Sequence, residues 1–233
     1  MGFSPSQLTH LGNRLKVAVT ADDLILLDEY RRSFGPACEC VIHSIKTVLS
    51  LPPTARPAKS TQAIIEKLNP LSSRLGQMQD IAGCRITVDS LSDQDLAVER
   101  LREEFPDCRV EDRRLKPSHG YRAVHVIVKV DGFWVEVQIR TKLQHLWASV
   151  SEKLADVNGN SIKYGHGDSK PLAVLAELKA FIAAVEDTEA AVAAELRKLD
   201  ESSERKRGLL TRLSDELLSH RNHLADRMLQ MLS

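Results

Sequence analysis

Two apolar runs near the middle of the chain, "YRAVHVIVKV" and "FWVEVQIRT", alternate with period two and are joined by Asp131-Gly132. Asp-Gly between alternating runs predicts a two-residue hairpin loop, because both central residues of a type I′ turn take positive φ. With Val130 paired to Phe133, the register sets Val128 against Val135, Val126 against Val137 and Val124 against Ile139. Those four pairs form one apolar face. The other face pairs Ile127 with Glu136, His125 with Gln138 and Ala123 with Arg140, with Tyr121 just beyond. Two readings stay open for it. One is the solvated side of an antiparallel sheet. The other is a surface whose carboxylate, amide, guanidinium, imidazole and phenol groups bind a metal, phosphates and an aromatic ring together.

The same patterning organises the rest of the chain. Residues ~21–50 read as helices broken near Gly35-Pro36, with Leu24, Leu27, Val41, Ile45 and Val48 at amphipathic spacing. "LPPTARPAKS" reads as a loop by its prolines, and "TQAIIEKLNP" as a helix ended by Asn69-Pro70. "IAGCRITV" is a predicted strand. "DSLSDQDLAVERLREEFP" is a predicted helix with Leu96, Leu101 and Phe105 near one face. A short strand, "CRVEDRRL", and a loop, "KPSHG", lead into the hairpin. "KLQHLWASVSEKLADV" is helical and "NGNSIKYGHGDSKP" a linker. From ~171 onward the chain reads as two helical stretches parted near "DESSERKRG". There Leu210, Leu213, Leu217, Leu224 and Met228 form a stripe that reads as a packing seam, within the chain or between chains.

Strand, helix, strand, strand, strand predicts an α/β (α+β) layer with a mixed sheet flanked by helices, since the hairpin is antiparallel. The expected division is a domain over residues 1–165 and a C-terminal helical extension over 166–233.

Composition narrows the function classes. The 233 residues carry 32 Lys+Arg against 32 Asp+Glu, so a broad basic surface for long nucleic acid is not indicated. No apolar run approaches the ~20 residues of a membrane span. "MGFSPSQLTHLGNRLK" lacks a signal-peptide pattern, and Gly2 after Met1 is a weak match to a myristoylation signal. Cys38, Cys40, Cys84 and Cys108 offer no paired CxxC, so neither a zinc site nor a disulfide framework is expected. A reducing compartment, the cytoplasm, follows.

Three further stretches carry candidate chemistry. "QMQDIAGCRITV" puts Asp80 just before a strand holding Gly83 and Arg85. A carboxylate at a strand end beside a second carboxylate on a neighbouring strand is a common way to hold Mg²⁺, so Asp80 and Glu136 are the expected pair. A turn or cap role for Asp80 is the alternative. "ARPAKSTQAIIEK" sets Arg56, Lys59 and Lys67 around a helix start, either a phosphate site or a solvated basic loop. "LKPSHGYRAVH" gathers Lys116, His119, Tyr121, Arg122 and His125. Tyr121 either stacks on a nucleobase or packs on the sheet. Walker, dinucleotide-binding and kinase catalytic-loop motifs are all missing.

"QMQDIAGCRI", "HGYRAVH" and "VEVQIRT", in this order, closely resemble the synthetase domain of the RelA/SpoT family of alarmone synthetases. "KSTQAIIEKL" resembles that family's upstream lysine segment. The likeness covers roughly residues 20–160. It implies a nucleotidyltransferase-like fold and Mg²⁺-dependent transfer of the β,γ-pyrophosphate of ATP to a ribose 3′-hydroxyl, usually of GDP or GTP. Carried over, Asp80 holds Mg²⁺, and Glu136 holds metal or acts as base. Tyr121 stacks on the acceptor base, Lys59, Arg85 and Arg140 contact phosphates, and His125 and Gln138 support the site.

The chain departs from the family at three places. Pro57 stands where the family often has arginine, with Arg56 nearest. His119 replaces the usual asparagine before "GY". No His-Asp dipeptide is present, which argues against alarmone hydrolysis. The resemblance implies a small stand-alone member whose acceptor is GDP, GTP or an adenine nucleotide. The alternative acceptor is the 3′ end of tRNA, which makes the protein a translation-blocking toxin. Arg31-Arg32 and Arg113-Arg114 with Lys116 are the candidate tRNA patches. A homo-oligomer or a partner protein is expected at the C-terminal helices.

Overall fold

The computed structural model describes residues 3–56, 58–69, 74–199 and 204–232. Met1, Gly2, Pro57, Pro70 and the break at 200–203 lie outside the described residues. The chain opens with α1 (Pro5–Val17), an element that the apolar pattern did not predict. Its start is written in capping chemistry: Ser4 accepts from Gln7 N, Gln7 reaches back to Ser4 N, and proline opens the first turn. α2 (Ala21–Arg32) begins with the same reciprocal box between Thr20 and Asp23. α3 (Gly35–Leu49) starts at the predicted Gly-Pro break. α4 (Thr61–Leu68) is capped by Ser60. These helices enclose Leu11, Leu15, Leu27, Ile64 and Leu68. An edge-to-face ladder of Phe3, Tyr30, Phe34 and Phe133, with centroids 5.4, 5.1 and 4.9 Å apart, ties that core to the sheet.

The sheet has five strands: β1 (Thr54–Arg56), β2 (Ala82–Val88), β3 (Arg109–Asp112), β4 (Val124–Val130) and β5 (Phe133–Thr141). Their order is β1-β2-β5-β4-β3, a mixed sheet in an α+β fold. Asp131 and Gly132 turn the hairpin with φ of 49° and 87°. The prolines had argued for a loop where β1 lies. It is an edge strand, a position where proline is tolerated, and it pairs Arg56 with Gly83 of β2. The solvated reading of the hairpin is overturned. Val124, Val126, Val135 and Ile139 are buried on one face, and His125, Glu136, Gln138 and Arg140 are 3–7% exposed on the other. α5 (Leu91–Glu104) also differs from expectation, because it buries Gln94, Ala97 and Leu101 and leaves Leu96 at 51% exposure. The side chain of Gln94 explains its place inside: it donates to the Ile139 carbonyl at 2.8 Å.

The chain divides into two compact units, one of Met1–Ile86, Val98–Glu111 and His125–Gln138, the other of Thr87–Ala97, Asp112–Val124 and Ile139–Ser233. The second unit adds α6 (Lys142–Asn158), a 3-10 turn (Asn160–Tyr164), α7 (Ser169–Lys198) and α8 (Glu204–Leu232). Its core joins Leu143, Leu146, Trp147, Leu175, Ile182 and Ala225. Lys142 Nζ reaches Asp226 Oδ2 at 3.0 Å and Asp89 Oδ1 at 3.3 Å, and Arg221 binds Glu189 and the Asp89 carbonyl. Within this chain α8 packs through Ala225, while Leu213, Leu217, Leu224 and Met228 of the expected seam stay exposed.

Candidate active site

In the first unit the chemistry centres on two carboxylates. Asp80 stands two residues ahead of β2. Its Oδ2 takes Lys59 Nζ and Lys67 Nζ, each at 2.8 Å. The segment is pinned by Lys59 N donating to the Ile81 carbonyl at 2.9 Å. Burial pushes the Asp80 carboxyl up, the two ammonium groups outweigh it, and the group ends below its ordinary value. Its Oδ1 is buried and takes no hydrogen bond from the described residues.

Glu136 sits on β5 opposite glycine. A Cβ on Gly83 would run into the Glu136 carbonyl oxygen, so only glycine lets β2 pass this close. The carboxylate is bound on both oxygens. His125 Nδ1 lies 2.8 Å from Oε1, while Arg56 Nη1 at 2.8 Å and Gln138 Nε2 at 2.7 Å reach Oε2. Burial raises the Glu136 pKa, but His125, Arg56 and Gln138 together bring it down to about 2. Arg85 lies on β2 across from Thr54.

Among the described residues no cluster of three or more His, Cys, Asp or Glu is arranged to hold a metal. Two carboxylates with water and substrate phosphate completing the shell are what Mg²⁺ ordinarily takes. Asp80 offers one such ligand in its buried Oδ1, and a carboxylate oxygen of that kind suits a magnesium ion.

In the second unit the chemistry centres on Tyr121. Residues 118–121 form a tight turn, with Tyr121 N donating to the Ser118 carbonyl at 2.9 Å and φ of 51° at His119 and 101° at Gly120. Positive φ at both central positions explains the residue types: glycine is free there, and histidine, like asparagine, tolerates it better than most side chains. The His119 ring faces Tyr164 edge-on at 6.5 Å. The Arg140 guanidinium lies 5.0 Å over the Tyr121 ring, its Nη2 donates to Tyr121 Oη at 2.9 Å, and Trp147 meets the ring edge-on at 6.4 Å.

The structure thus gathers Arg56, Lys59, Asp80, His125, Glu136 and Gln138 in one unit, and Tyr121 with Arg140 in the other. Lys116 is exposed. Arg122 does not join Tyr121: its Nε lies 2.6 Å from Glu186 Oε2 on α7. It lines a separate cavity of about 520 Å³ with Asp112, Arg114 and Glu189. Sequence reasoning placed Lys67 near a phosphate site but gave it no partner. Trp147, Lys179 and Glu186 were missed, since nothing in a helical pattern says which loop it will back. Three arginines of the candidate tRNA patches are held in ion pairs. Arg31 pairs with Asp28 and donates to the Lys59 carbonyl, Arg32 pairs with Asp28, and Arg114 pairs with Asp112 and Asp95.

Residues 56–157 match the model of the region found in RelA / SpoT proteins. Uncharacterized proteins of Mycobacterium bovis and Mycobacterium tuberculosis are 37% identical over 145 residues, 58% of this chain and 52% of theirs. The chain therefore spans about half the length of the curated relatives it matches. Two solved structures share the fold. The small alarmone synthetase 1 of Bacillus subtilis, bound to its product pppGpp, is 21% identical with a TM-score of 0.55, over 73% of this chain and 100% of that one. A GTP pyrophosphokinase family protein of Streptococcus pneumoniae is 21% identical with a TM-score of 0.55, over 77% of this chain and 97% of that one. With the motifs, the fold and the family match in agreement, residues 56–157 are a region of the kind found in RelA / SpoT proteins.

Proposed function

We propose that this chain is an Mg²⁺-dependent pyrophosphokinase that moves the β,γ-pyrophosphate of ATP onto the 3′-hydroxyl of a guanine nucleotide, as a (p)ppGpp synthetase does. The observation that carries this reading is the pairing of each carboxylate with cations suited to phosphate: half-buried Asp80 with Lys59 and Lys67, buried Glu136 with Arg56.

The roles follow from that pairing. Lys59, Lys67, Arg56 and Arg85 bind the ATP phosphates, and Tyr121 stacks on the acceptor base with Arg140 beside it. Asp80 and Glu136 would hold Mg²⁺, which would supply charge neutralisation on the triphosphate and a more electrophilic β-phosphorus. Glu136, its pKa brought down to about 2 by His125, Arg56 and Gln138, is ionised at neutral pH. His125 and Gln138 hold its carboxylate in place. The acceptor 3′-oxygen forms a bond to the β-phosphorus, the bond from that phosphorus to the α,β-bridging oxygen breaks, and AMP leaves. The hydroxyl proton passes to Glu136.

Catalysis is assigned to residues 1–165, and residues 166–233 to support. Because its substrates are free nucleotides, the enzyme is assigned to the cytoplasm. The direct test is transfer from ATP labelled on its β and γ phosphates to GDP or GTP, repeated with Asp80→Ala and Glu136→Ala. Label in a guanine tetra- or pentaphosphate, lost in both variants, supports the reading. Label reaching only adenine nucleotides or tRNA would replace the acceptor, and no transfer would refute the reaction.

A further inference from the structure

α7 lies outside the matched region, yet one of its faces backs the turn that carries Tyr121. The Leu175 carbonyl accepts from Trp147 Nε1 at 3.3 Å, and Trp147 is the ring that meets Tyr121 edge-on. A Cβ on Gly120 would meet Lys179 Cδ at 3.1 Å and Trp147 Cζ2 at 3.0 Å, so the stem of Lys179 lies against the turn itself. Ile182 is buried in the core against which Tyr121 packs. Glu186, 3% exposed, pairs through Oε2 with Arg122 Nε at 2.6 Å and accepts from Gln144 Nε2 on Oε1 at 2.7 Å. Leu175, Lys179, Ile182 and Glu186 follow at steps of four, three and four, the repeat of a single helix face.

The Lys179 stem therefore lies against the residue just before Tyr121, and Glu186 pairs with the residue just after it. A buried ion pair is no more stabilising than a well-packed apolar pair of similar volume, but it tolerates one register only. We propose that Glu186 and Lys179 are positioning residues for the acceptor: α7 holds 118–122 in the shape that presents the Tyr121 ring. This rests on the reading of Tyr121 as the acceptor-base platform.

The test varies ATP and acceptor separately in the full-length protein. Glu186→Gln is expected to raise the acceptor KM on the order of ten-fold and leave the ATP KM unchanged. Lys179 is exposed, so Lys179→Ala will fold even if Glu186→Gln does not; it should raise the acceptor KM about three-fold. If Glu186 acts through Arg122, adding Glu186→Gln to Arg122→Ala costs nothing more. Equal rises in both Michaelis constants, or additive losses, would overturn the proposal. Should the wild-type protein transfer no pyrophosphate, the failure belongs to the reaction assigned above. Titration calorimetry with GDP then decides the positioning: weaker binding by Lys179→Ala supports it, and equal binding or none overturns it.

Discussion

Glu136 shows most clearly how single residues set the account. Strand alternation alone placed Glu136, Gln138 and Arg140 on one face and His125 across from Gln138. The partners that define Glu136 were not legible, because Arg56 reaches it from a strand that its prolines disguised. Lys67 was likewise visible as a cation but not as a partner of Asp80, since that contact needs α4 and the β2 approach to meet in three dimensions. Asp80→Ala and Glu136→Ala should each lower pyrophosphate transfer by about a thousand-fold, the scale of losing a charge-stabilising group, in a labelled-ATP assay. Transfer within ten-fold of wild type in either variant would remove that residue from the chemistry. Glu136 also makes a pH prediction. Its pKa falls from 4.5 to about 2 on folding, so its contribution is complete above pH 4.5 and is lost as pH falls toward 2. Thermal midpoints measured across that window should fall less steeply for Glu136→Gln than for wild type. Parallel curves would mean that the carboxylate is not held by its cations.

Elements supply the geometry these residues need. The hairpin, β2, α5 and both C-terminal helices were legible from periodicity and turn residues. α1 escaped an apolar reading because its start is marked by Ser4, Pro5 and Gln7 rather than by a stripe. Leu96 was misplaced because a buried glutamine, Gln94, takes the inward position by bonding a strand carbonyl. The turn at 118–121 explains the departure from asparagine without invoking base recognition. His119→Asn should keep the thermal midpoint and acceptor KM near wild type. His119→Val, β-branched at positive φ, should cost about 1–3 kcal/mol in denaturant unfolding. A stable valine variant would show that the turn does not impose its φ. At Gly83 the constraint is contact rather than torsion. Gly83→Ala should destabilise the protein by about 1–3 kcal/mol and reduce transfer, because β2 must move off the Glu136 carbonyl.

For the whole molecule, the helical extension was legible as helix but not as support. Its sequence shows amphipathic spacing, whereas the contacts to Trp147, Gly120 and Arg122 depend on where α7 is laid down. Leu175, Ile182 and Ala225 share one core with Leu143, Leu146 and Trp147. Truncation after residue 168 should therefore abolish a cooperative thermal transition in the second unit, read by near-ultraviolet circular dichroism. A truncated chain with an unchanged transition would make the extension a detachable appendage. No helix among the described residues is long and apolar enough to cross a membrane. The central claim is the reaction itself, and the acceptor assay meets it most directly. The protein is incubated with Mg²⁺, ATP labelled on its β and γ phosphates, and in parallel GDP, GTP, AMP, ADP or bulk tRNA. The account predicts label in a guanine tetra- or pentaphosphate with release of AMP. Label in tRNA alone, or in no acceptor, would contradict it.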